Sequence, residues 1–194
     1  MNLDPRTVRD LALAFQPRAY LRNIPVAHMR TPLGMGFGHS RFSSPGQAFK
    51  LLYLARDLAT AIAETIVRDR FEGARERVLD EGEIENWAVT EVTATAPLTV
   101  LDLRTTGLLR LGVSTDAARG KEHREGQELS ENVHYSFAVD GLLYASRLTG
   151  ADCVAVYDRA VSDKLTSSPA VELVRQADLV PVLRSIGVFV RAKR

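Results

Sequence analysis

The sequence has few of the residues that form disulfides or bind metals. Among 194 residues there is one cysteine, Cys153, and there are four histidines. A single cysteine cannot form an internal disulfide, nor can it complete a Cys-x-x-Cys metal motif. The histidines lie at neither His-x-His nor His-x-x-x-His spacing, so no metal site is predicted. This cysteine usage favours a reducing, cytoplasmic compartment.

Long apolar runs and blocks of like charge are also absent. No stretch approaches the roughly 20 apolar residues that cross a bilayer, and the charged residues 1–10 do not resemble a signal peptide. The 25 basic and 24 acidic residues are interspersed and leave a net charge of +1. The sequence therefore predicts no membrane partner, and it predicts no direct nucleic-acid partner because it has no basic face.

What is present is the composition of an ordinary folded domain. Hydrophobic residues make up 45% of the chain and charged residues 25%, and the length suits one substantial domain. Residues 1–19 are predicted to be an N-terminal helical segment, because apolar residues from Val8 to Phe15 fall on one side of a helix. The main domain then comprises residues 20–194.

Short apolar or β-branched segments predict strands, and segments with apolar residues four apart predict helices. The predicted strands are residues 49–55, 87–96, 98–103, 142–147 and 153–157, and helices are predicted after residue 57 and over 105–113 and 127–139. The charge-dense stretch 68–85 is predicted to be a helix end and linker. This mixture predicts an α+β fold, a single domain with a mixed β-sheet core.

The stretch from His39 to Arg70 combines a loop, a strand and a helix. Phe49–Ala55 is a short apolar run that suits a strand covered on both faces. Asp57 is the predicted N-cap of the helix that follows. The apolar residues of this helix recur every four positions from Leu58, and Glu64 falls roughly 200° around the helix from that face. This acid is therefore predicted to lie outside the core stripe.

Three glycines alternate with larger side chains in the loop before this strand, in the sequence Gly-Met-Gly-Phe-Gly-His that ends at His39. Glycine lets a backbone approach a ligand closely. The loop is not a P-loop, because no Gly-Lys-Ser/Thr follows, and it is not a Rossmann fingerprint, because no strand leads directly into it and no helix follows. A ligand-binding loop and a mobile connector both stay open.

Four short motifs follow one another along the chain. They are Tyr-Leu-Arg ending at Arg22, Gly-His-Ser-Arg-Phe-Ser-Ser-Pro-Gly with Arg41, Leu-Leu-Tyr-Leu-Ala with Tyr53 followed by Ala-Glu at Glu64, and Asp-Gly-Leu-Leu-Tyr-Ala-Ser ending at Ser146. In this order they resemble the RES domain, a family named after its Arg, Glu and Ser. The resemblance extends over residues 20–159.

The resemblance implies a fold similar to ADP-ribosyltransferases, with a RES-like catalytic domain over residues 20–194. It implies NAD⁺ as substrate, no prosthetic group, and cleavage of the nicotinamide–ribose bond by a glycohydrolase or phosphorylase reaction. Members of the family are toxins of bacterial toxin–antitoxin pairs, so an Xre-type antitoxin is the implied partner. Arg22, Glu64 and Ser146 match the catalytic Arg, Glu and Ser. The implied NAD⁺-binding positions are Arg22, Arg41, Tyr53 and Ser146.

These residue types suit that chemistry. A carboxylate near the ribose stabilises an oxocarbenium-like state, which is the role we expect for Glu64. The guanidinium groups of Arg22 and Arg41 suit a pyrophosphate, because each can form two parallel charge-assisted hydrogen bonds. Tyr53 is suited to stack on the nicotinamide ring, and Ser146 to hydrogen-bond a ligand or a catalytic group.

Two other functions stay open. The same fold can transfer ADP-ribose to a protein, or it can bind a nucleotide without catalysis. The silent alternative is favoured by Asn23, since many members of the family have an aromatic residue directly after the first Arg. The apolar content is also compatible with a homodimer.

Overall fold

A large mixed β-sheet forms the centre of the structure, a computed structural model that describes residues 1–192. The strands are β1 (Ala12–Phe15), β2 (Tyr20–Pro25), β3 (Leu51–Ala55), β4 (Val78–Asp80), β5 (Trp87–Ala94), β6 (Leu98–Asp102), β7 (Gly141–Ala145), β8 (Asp152–Tyr157), β9 (Leu165–Ser167), β10 (Val171–Glu172) and β11 (Phe189–Arg191). The central sheet has the order β1-β6-β7-β8-β3-β2-β5-β10, and β9 also pairs with β5. Within it β6 and β7 are parallel, and the other neighbours are antiparallel. A separate parallel pair joins β4 to β11.

Short helices cover this sheet. They are α1 (Pro5–Leu11), α2 (Leu58–Ile62), α3 (Glu81–Ile84), α4 (Gly107–Arg110), α5 (Asp116–Arg119), α6 (Arg124–Ser136), α7 (Asp158–Lys164) and α8 (Leu179–Ser185). Two 3₁₀ turns, Val26–His28 and Leu173–Arg175, and a π-helix, Ala63–Val67, complete the regular structure of the described residues. No helix in residues 1–192 combines the length and the apolar character needed to cross a membrane.

Alternate side chains of β3 enter two different hydrophobic cores, as the period of a strand requires. Leu52 and Leu54 pack on one face of the sheet, and Leu51 and Ala55 pack on the other. Strand β3 is therefore covered on both faces, as its nearly continuous apolar run predicts. Because it is central in the sheet, β3 gives a rigid base to the side chains that leave it.

The helix after β3 begins at the predicted cap. The side chain of Asp57 accepts a hydrogen bond from the backbone N–H of Thr60 at 2.8 Å, which satisfies a donor of the first helical turn. Leu58 and Ile62 are buried in a third core cluster. The predicted packing residues Leu58 and Ile62 are thus in the core, but Thr60 and Ala61, on the predicted opposite side, are buried as well.

After α2 the helix widens into a π-helix over Ala63–Val67. The backbone N–H of Arg68 donates to the carbonyl of Ala63 at 2.7 Å, which closes the wide turn. Glu64 lies in this π-helix and is half-buried, outside the apolar stripe as predicted. Single π-turns inserted in α-helices occur frequently at functional sites.

The helical segment predicted over residues 1–19 is wrong in its second half. Helix α1 ends at Leu11, and Ala12–Phe15 forms strand β1. This strand pairs antiparallel with residues 98–101 of β6. An apolar run of four residues fits either a helix or a strand locally, and pairing with the edge of the sheet selects the strand.

The stretch 68–85, predicted to be a helix end and linker, contains strand β4 and helix α3. Strand β4 pairs with β11, and Arg191 of β11 forms an ion pair with Asp80, a residue 111 positions earlier. Local sequence patterns do not show such a distant partner.

The strands predicted over 87–96, 98–103, 142–147 and 153–157 are confirmed as β5, β6, β7 and β8. The predicted α+β single domain with a mixed sheet is confirmed too.

Candidate active site

A cavity of about 450 Å³ opens beside β2, β3 and the π-helix. A second cavity of about 180 Å³ shares six lining residues with it, and we call this second cavity the inner extension because buried residues such as Leu54, Ala61 and Cys153 also line it. The larger volume lies within the range of about 300–1,000 Å³ that is usual for small-molecule sites, and the smaller volume lies below this range. The residues that line both parts are Arg22, Leu51, Tyr53, Glu64, Thr65 and Tyr144. Arg41 lines the outer part only.

Ser146 and Glu64 are directly joined although they are 82 positions apart in sequence. The hydroxyl of Ser146 donates to Oε1 of Glu64 at 2.6 Å. The same hydroxyl accepts the backbone N–H groups of Leu148 and Thr149, each at 3.1 Å. Ser146 is only 4% exposed and directly follows β7. Its fixed hydroxyl therefore orients the Glu64 carboxylate at the cavity wall.

This arrangement predicts that Ser146→Ala destabilises the protein. Two backbone N–H groups and one half-buried carboxylate lose their partner, and we expect the free energy of unfolding to fall by about 1–3 kcal/mol. Urea denaturation measures this loss. The matched control is Ser162→Ala, at an exposed serine of α7, which should change stability little. Equal stability of both variants would contradict the proposed role of the Ser146 hydroxyl.

The guanidinium of Arg22 is hydrogen-bonded to the glycine-containing loop that forms one wall of the cavity. Its Nη1 and Nη2 atoms donate to the carbonyls of Pro32 and Gly34 at 2.6 and 2.8 Å. Burial lowers the pKa of this guanidinium to about 10, from 12.5. The side chain therefore fixes the loop over the cavity, and its predicted contact with a pyrophosphate stays a prediction.

We expect Arg22→Lys to loosen this loop. A lysine ammonium is compact and lacks the planar fork that reaches two carbonyls at once. Amide hydrogen exchange in residues 31–38 should become on the order of tenfold faster, because one or both charge-assisted hydrogen bonds are lost. Arg30→Lys, at an exposed neighbour in the same region, is the control and should leave exchange as in the wild type. Unchanged exchange in Arg22→Lys would contradict this role.

Arg41 lines the outer cavity together with the candidate acid, Glu64. Its Nη1 donates to the carbonyl of Gly120, and it is the only nitrogen of this guanidinium with a hydrogen-bond acceptor among residues 1–192. Burial lowers the pKa of Arg41, and the negative charge of Glu64 acts in the opposite direction. Arg41 thus has donors left for an anionic ligand in the outer cavity.

Tyr53 projects from β3 and lines both parts of the cavity. Its hydroxyl accepts hydrogen bonds from the Ser40 hydroxyl at 2.7 Å and from the backbone N–H of Phe42 at 3.2 Å. Burial is the main cause that raises the pKa of Tyr53. The phenol is thereby held in the neutral form, and its ring orientation is fixed by the loop that also contains Arg41.

The sequence reasoning gave no role to several residues that the fold brings to this cavity. Tyr144 of β7 lines both parts of the cavity. It belongs to the Asp-Gly-Leu-Leu-Tyr-Ala-Ser motif, and this membership is the sequence feature that could have identified it as a site residue. Burial raises the pKa of Tyr144 well above its usual value, and Glu64 contributes in the same direction. Thr65 is adjacent to Glu64 in sequence. The other additions, Phe37, Lys50, Trp87 and His123, come from four separate segments and have no common local signal.

Asn23 is buried and does not provide the stacking surface that an aromatic residue would provide. Its Nδ2 donates to the Thr65 hydroxyl at 3.2 Å, and that hydroxyl donates to the carbonyl of Ala61 at 2.6 Å. Oδ1 of Asn23 has no hydrogen-bond partner among the described residues. Asn23 therefore connects β2 to the helix that contains Glu64.

A larger cavity, of about 660 Å³, contacts other residues of the same helix, including Ala59, Ala63 and Val67. None of the five predicted site residues lines it in the described chain. We therefore place the candidate site in the cavity that contains Glu64. Within residues 1–192, no three His, Cys, Asp or Glu side chains are grouped so that they could hold a metal ion.

A family model of the RES domain matches residues 14–176. This range is most of the chain and includes every predicted site residue. The chain belongs to the RES domain family.

Two known proteins are similar to this chain. "Probable toxin y4kH" of Sinorhizobium fredii is 36% identical over 80 residues, which are 41% of this chain and 63% of that protein. The match thus spans less than two thirds of the relative. A chain of the M. tuberculosis MbcT–MbcA toxin–antitoxin complex superposes with a TM-score of 0.63 at 17% identity, over 88% of this chain and 93% of that chain. At this identity the likeness shows a shared fold.

Proposed function

We propose that the chain is the toxin of a toxin–antitoxin pair and that it acts by cleaving the nicotinamide–ribose bond of NAD⁺. The observation that supports this most strongly is the pair formed by Glu64 and Ser146. A buried hydroxyl holds a half-buried carboxylate where the two parts of the cavity share their lining. A carboxylate fixed in this way is the group that a developing cation on a ribose needs.

In the proposed reaction the bond between ribose C1′ and the nicotinamide nitrogen breaks, and both bonding electrons leave with the nitrogen. Neutral nicotinamide is released and an oxocarbenium-like cation forms on the ribose. Glu64 stabilises this cation. An acceptor then adds to the same anomeric carbon, which is numbered 1″ in the product: water gives ADP-ribose and releases its proton to solvent, or hydrogen phosphate dianion gives ADP-ribose 1″-phosphate.

The remaining residues fit this substrate in separate roles. Arg41 provides free guanidinium donors for the pyrophosphate, and Arg22 supports the loop that closes over the substrate. The ring of Tyr53 packs beside the nicotinamide in the inner extension, whose lining includes both Tyr53 and Glu64. Ser146 acts through Glu64 as a positioning residue.

The toxin role is supported by the printed names of the two similar proteins, a probable toxin and a toxin–antitoxin complex. On this proposal an antitoxin, of the Xre type according to the family resemblance, binds the chain and neutralises it. Loss of NAD⁺ in a host cell would account for toxicity.

The acceptor is tested with NAD⁺ labelled in its adenylate portion. Purified chain is incubated with it in phosphate-free buffer, in phosphate buffer, and with added bacterial proteins. Labelled ADP-ribose without phosphate indicates hydrolysis, a product that requires phosphate indicates phosphorolysis, and label on macromolecules indicates protein ADP-ribosylation. If folded protein binds NAD⁺ but releases no nicotinamide under any condition, the proposed activity is wrong and the silent alternative is favoured.

A further inference from the structure

Phe37 is an apolar side chain left exposed at the outer wall of the cavity. It is 51% exposed and lies between Gly36 and Gly38, and all three residues line the cavity. A side chain built at Gly36 would meet no atom of the described residues within 4 Å. The loop backbone at Gly36 is therefore uncrowded, and half of the Phe37 side chain stays accessible at the cavity wall, where a flat ligand group can approach it.

The ring is held in position although it is exposed. The ammonium of Lys50, next to β3, lies 4.9 Å from the centroid of the Phe37 ring, within the range of a cation–π interaction. The loop is also held at Gly34, three residues before Phe37, because Arg22 donates a hydrogen bond to the Gly34 carbonyl. These two contacts restrict the ring and its loop before a ligand arrives, which lowers the entropy lost on binding.

Phe37 lines the outer part of the cavity and not the inner extension. Glu64 and Tyr53 line both parts, whereas Phe37, Lys50 and Trp87 do not line the inner extension in the described chain. These three residues line the outer part, together with Arg41. A dinucleotide with its riboside beside Glu64 would extend its pyrophosphate and second base into this outer part.

We infer that Phe37 stacks on the adenine base of NAD⁺ and makes the site prefer a dinucleotide over a mononucleotide. This inference rests on the proposed function, since it names the contact of the second base in the same site. Stacking of a base on an aromatic side chain needs no hydrogen bond to the base edge. The loss of Phe37 should therefore weaken every ligand that contains adenine.

The test compares NAD⁺ with nicotinamide mononucleotide, which has the same scissile bond but no adenylate. In Phe37→Ala we expect the ratio of the kcat/KM values for NAD⁺ and the mononucleotide to fall about tenfold, an ordinary size for one stacking contact. Phe37→Trp should retain the ratio. Phe189→Ala, at a phenylalanine of β11 that is 60% exposed, is the control and should retain it too. An unchanged ratio in Phe37→Ala would overturn the inference.

A binding measurement separates this inference from the proposed reaction. The chain has one tryptophan, Trp87, and it lines the same outer cavity, so its fluorescence reports ligands there. We expect Phe37→Ala to weaken the binding of ADP about tenfold and Phe189→Ala to leave it as in the wild type. This result would support the contact even if the wild type cleaved neither nucleotide, an outcome that would refute only the proposed reaction. Equal ADP affinity of Phe37→Ala and wild type would refute the stacking contact.

Discussion

Glu64→Gln is expected to lower kcat for nicotinamide release from NAD⁺ by about 10²–10³-fold, the usual effect of removing one preorganised electrostatic group. The substitution removes the negative charge that faces the oxocarbenium-like state and retains the shape of the side chain. The amide oxygen of Gln can still accept a hydrogen bond from the hydroxyl of Ser146, whose oxygen is 2.6 Å from Oε1 of Glu64 in the wild type. Initial rates of nicotinamide release, measured at saturating NAD⁺, check this prediction.

The fold should survive the same substitution. Glu64 lies outside the apolar stripe of its helix, so we expect the free energy of unfolding to change by less than about 1 kcal/mol. Glu91→Gln, at an exposed acid of β5, is a matched control and should leave both the rate and the stability unchanged. A folded Glu64→Gln protein with nearly wild-type turnover would exclude Glu64 from the chemistry.

Arg41→Lys is expected to lower kcat/KM for NAD⁺ by about 10–100-fold, the cost of losing one or two charge-assisted hydrogen bonds. Lysine preserves the charge but lacks the planar fork that can bind Gly120 and a pyrophosphate together. The loss should be larger in KM than in kcat, because the pyrophosphate does not react. Steady-state kinetics with NAD⁺ separates the two constants.

The matched control for Arg41 is Arg119→Lys. Arg119 is exposed at the end of α5, next to the glycine that Arg41 contacts. Its replacement should leave KM for NAD⁺ unchanged. If Arg41→Lys also has a wild-type KM, the forked contact with the pyrophosphate is absent and Arg41 serves only the local packing of the loop.

Much of the site's framework could be predicted from the sequence because it rests on local patterns. The apolar run before Arg56 forms the central strand β3, and Asp57 caps α2. The four-residue spacing from Leu58 indicates that Leu58 and Ile62 are buried and that Glu64 lies outside their stripe, but it does not show that Thr60 and Ala61 are buried too. These features depend on neighbours close in sequence, which a single sequence displays.

Other features depend on contacts that no local pattern displays. Strand β1 exists because β6 offers a free edge, and β4 exists because β11 pairs with it. The π-helix around Glu64 has no sequence signal that we recognise. Tertiary pairing decides such elements where local preference is weak.

The hydrogen bond between Glu64 and Ser146 is another feature that no local sequence pattern displays. Their contact spans 82 positions, and only the resemblance to the RES domain pointed to both residues. The hydrogen-bond partners of Arg22 could not be predicted from the sequence either. A guanidinium binds a ligand phosphate or backbone carbonyls equally well, and in the structure Arg22 binds the carbonyls of Pro32 and Gly34. Chemistry predicts what a side chain prefers to bind, and the fold decides which partner is near.

The most direct test of the proposed function is the appearance of free nicotinamide when purified chain is mixed with NAD⁺ and followed by ¹H NMR. We expect nicotinamide resonances to grow as those of NAD⁺ decline in the wild type, and to grow hardly at all in Glu64→Gln at the same concentration. Persistence of intact NAD⁺ with folded wild-type protein, in the presence and in the absence of phosphate, would contradict it.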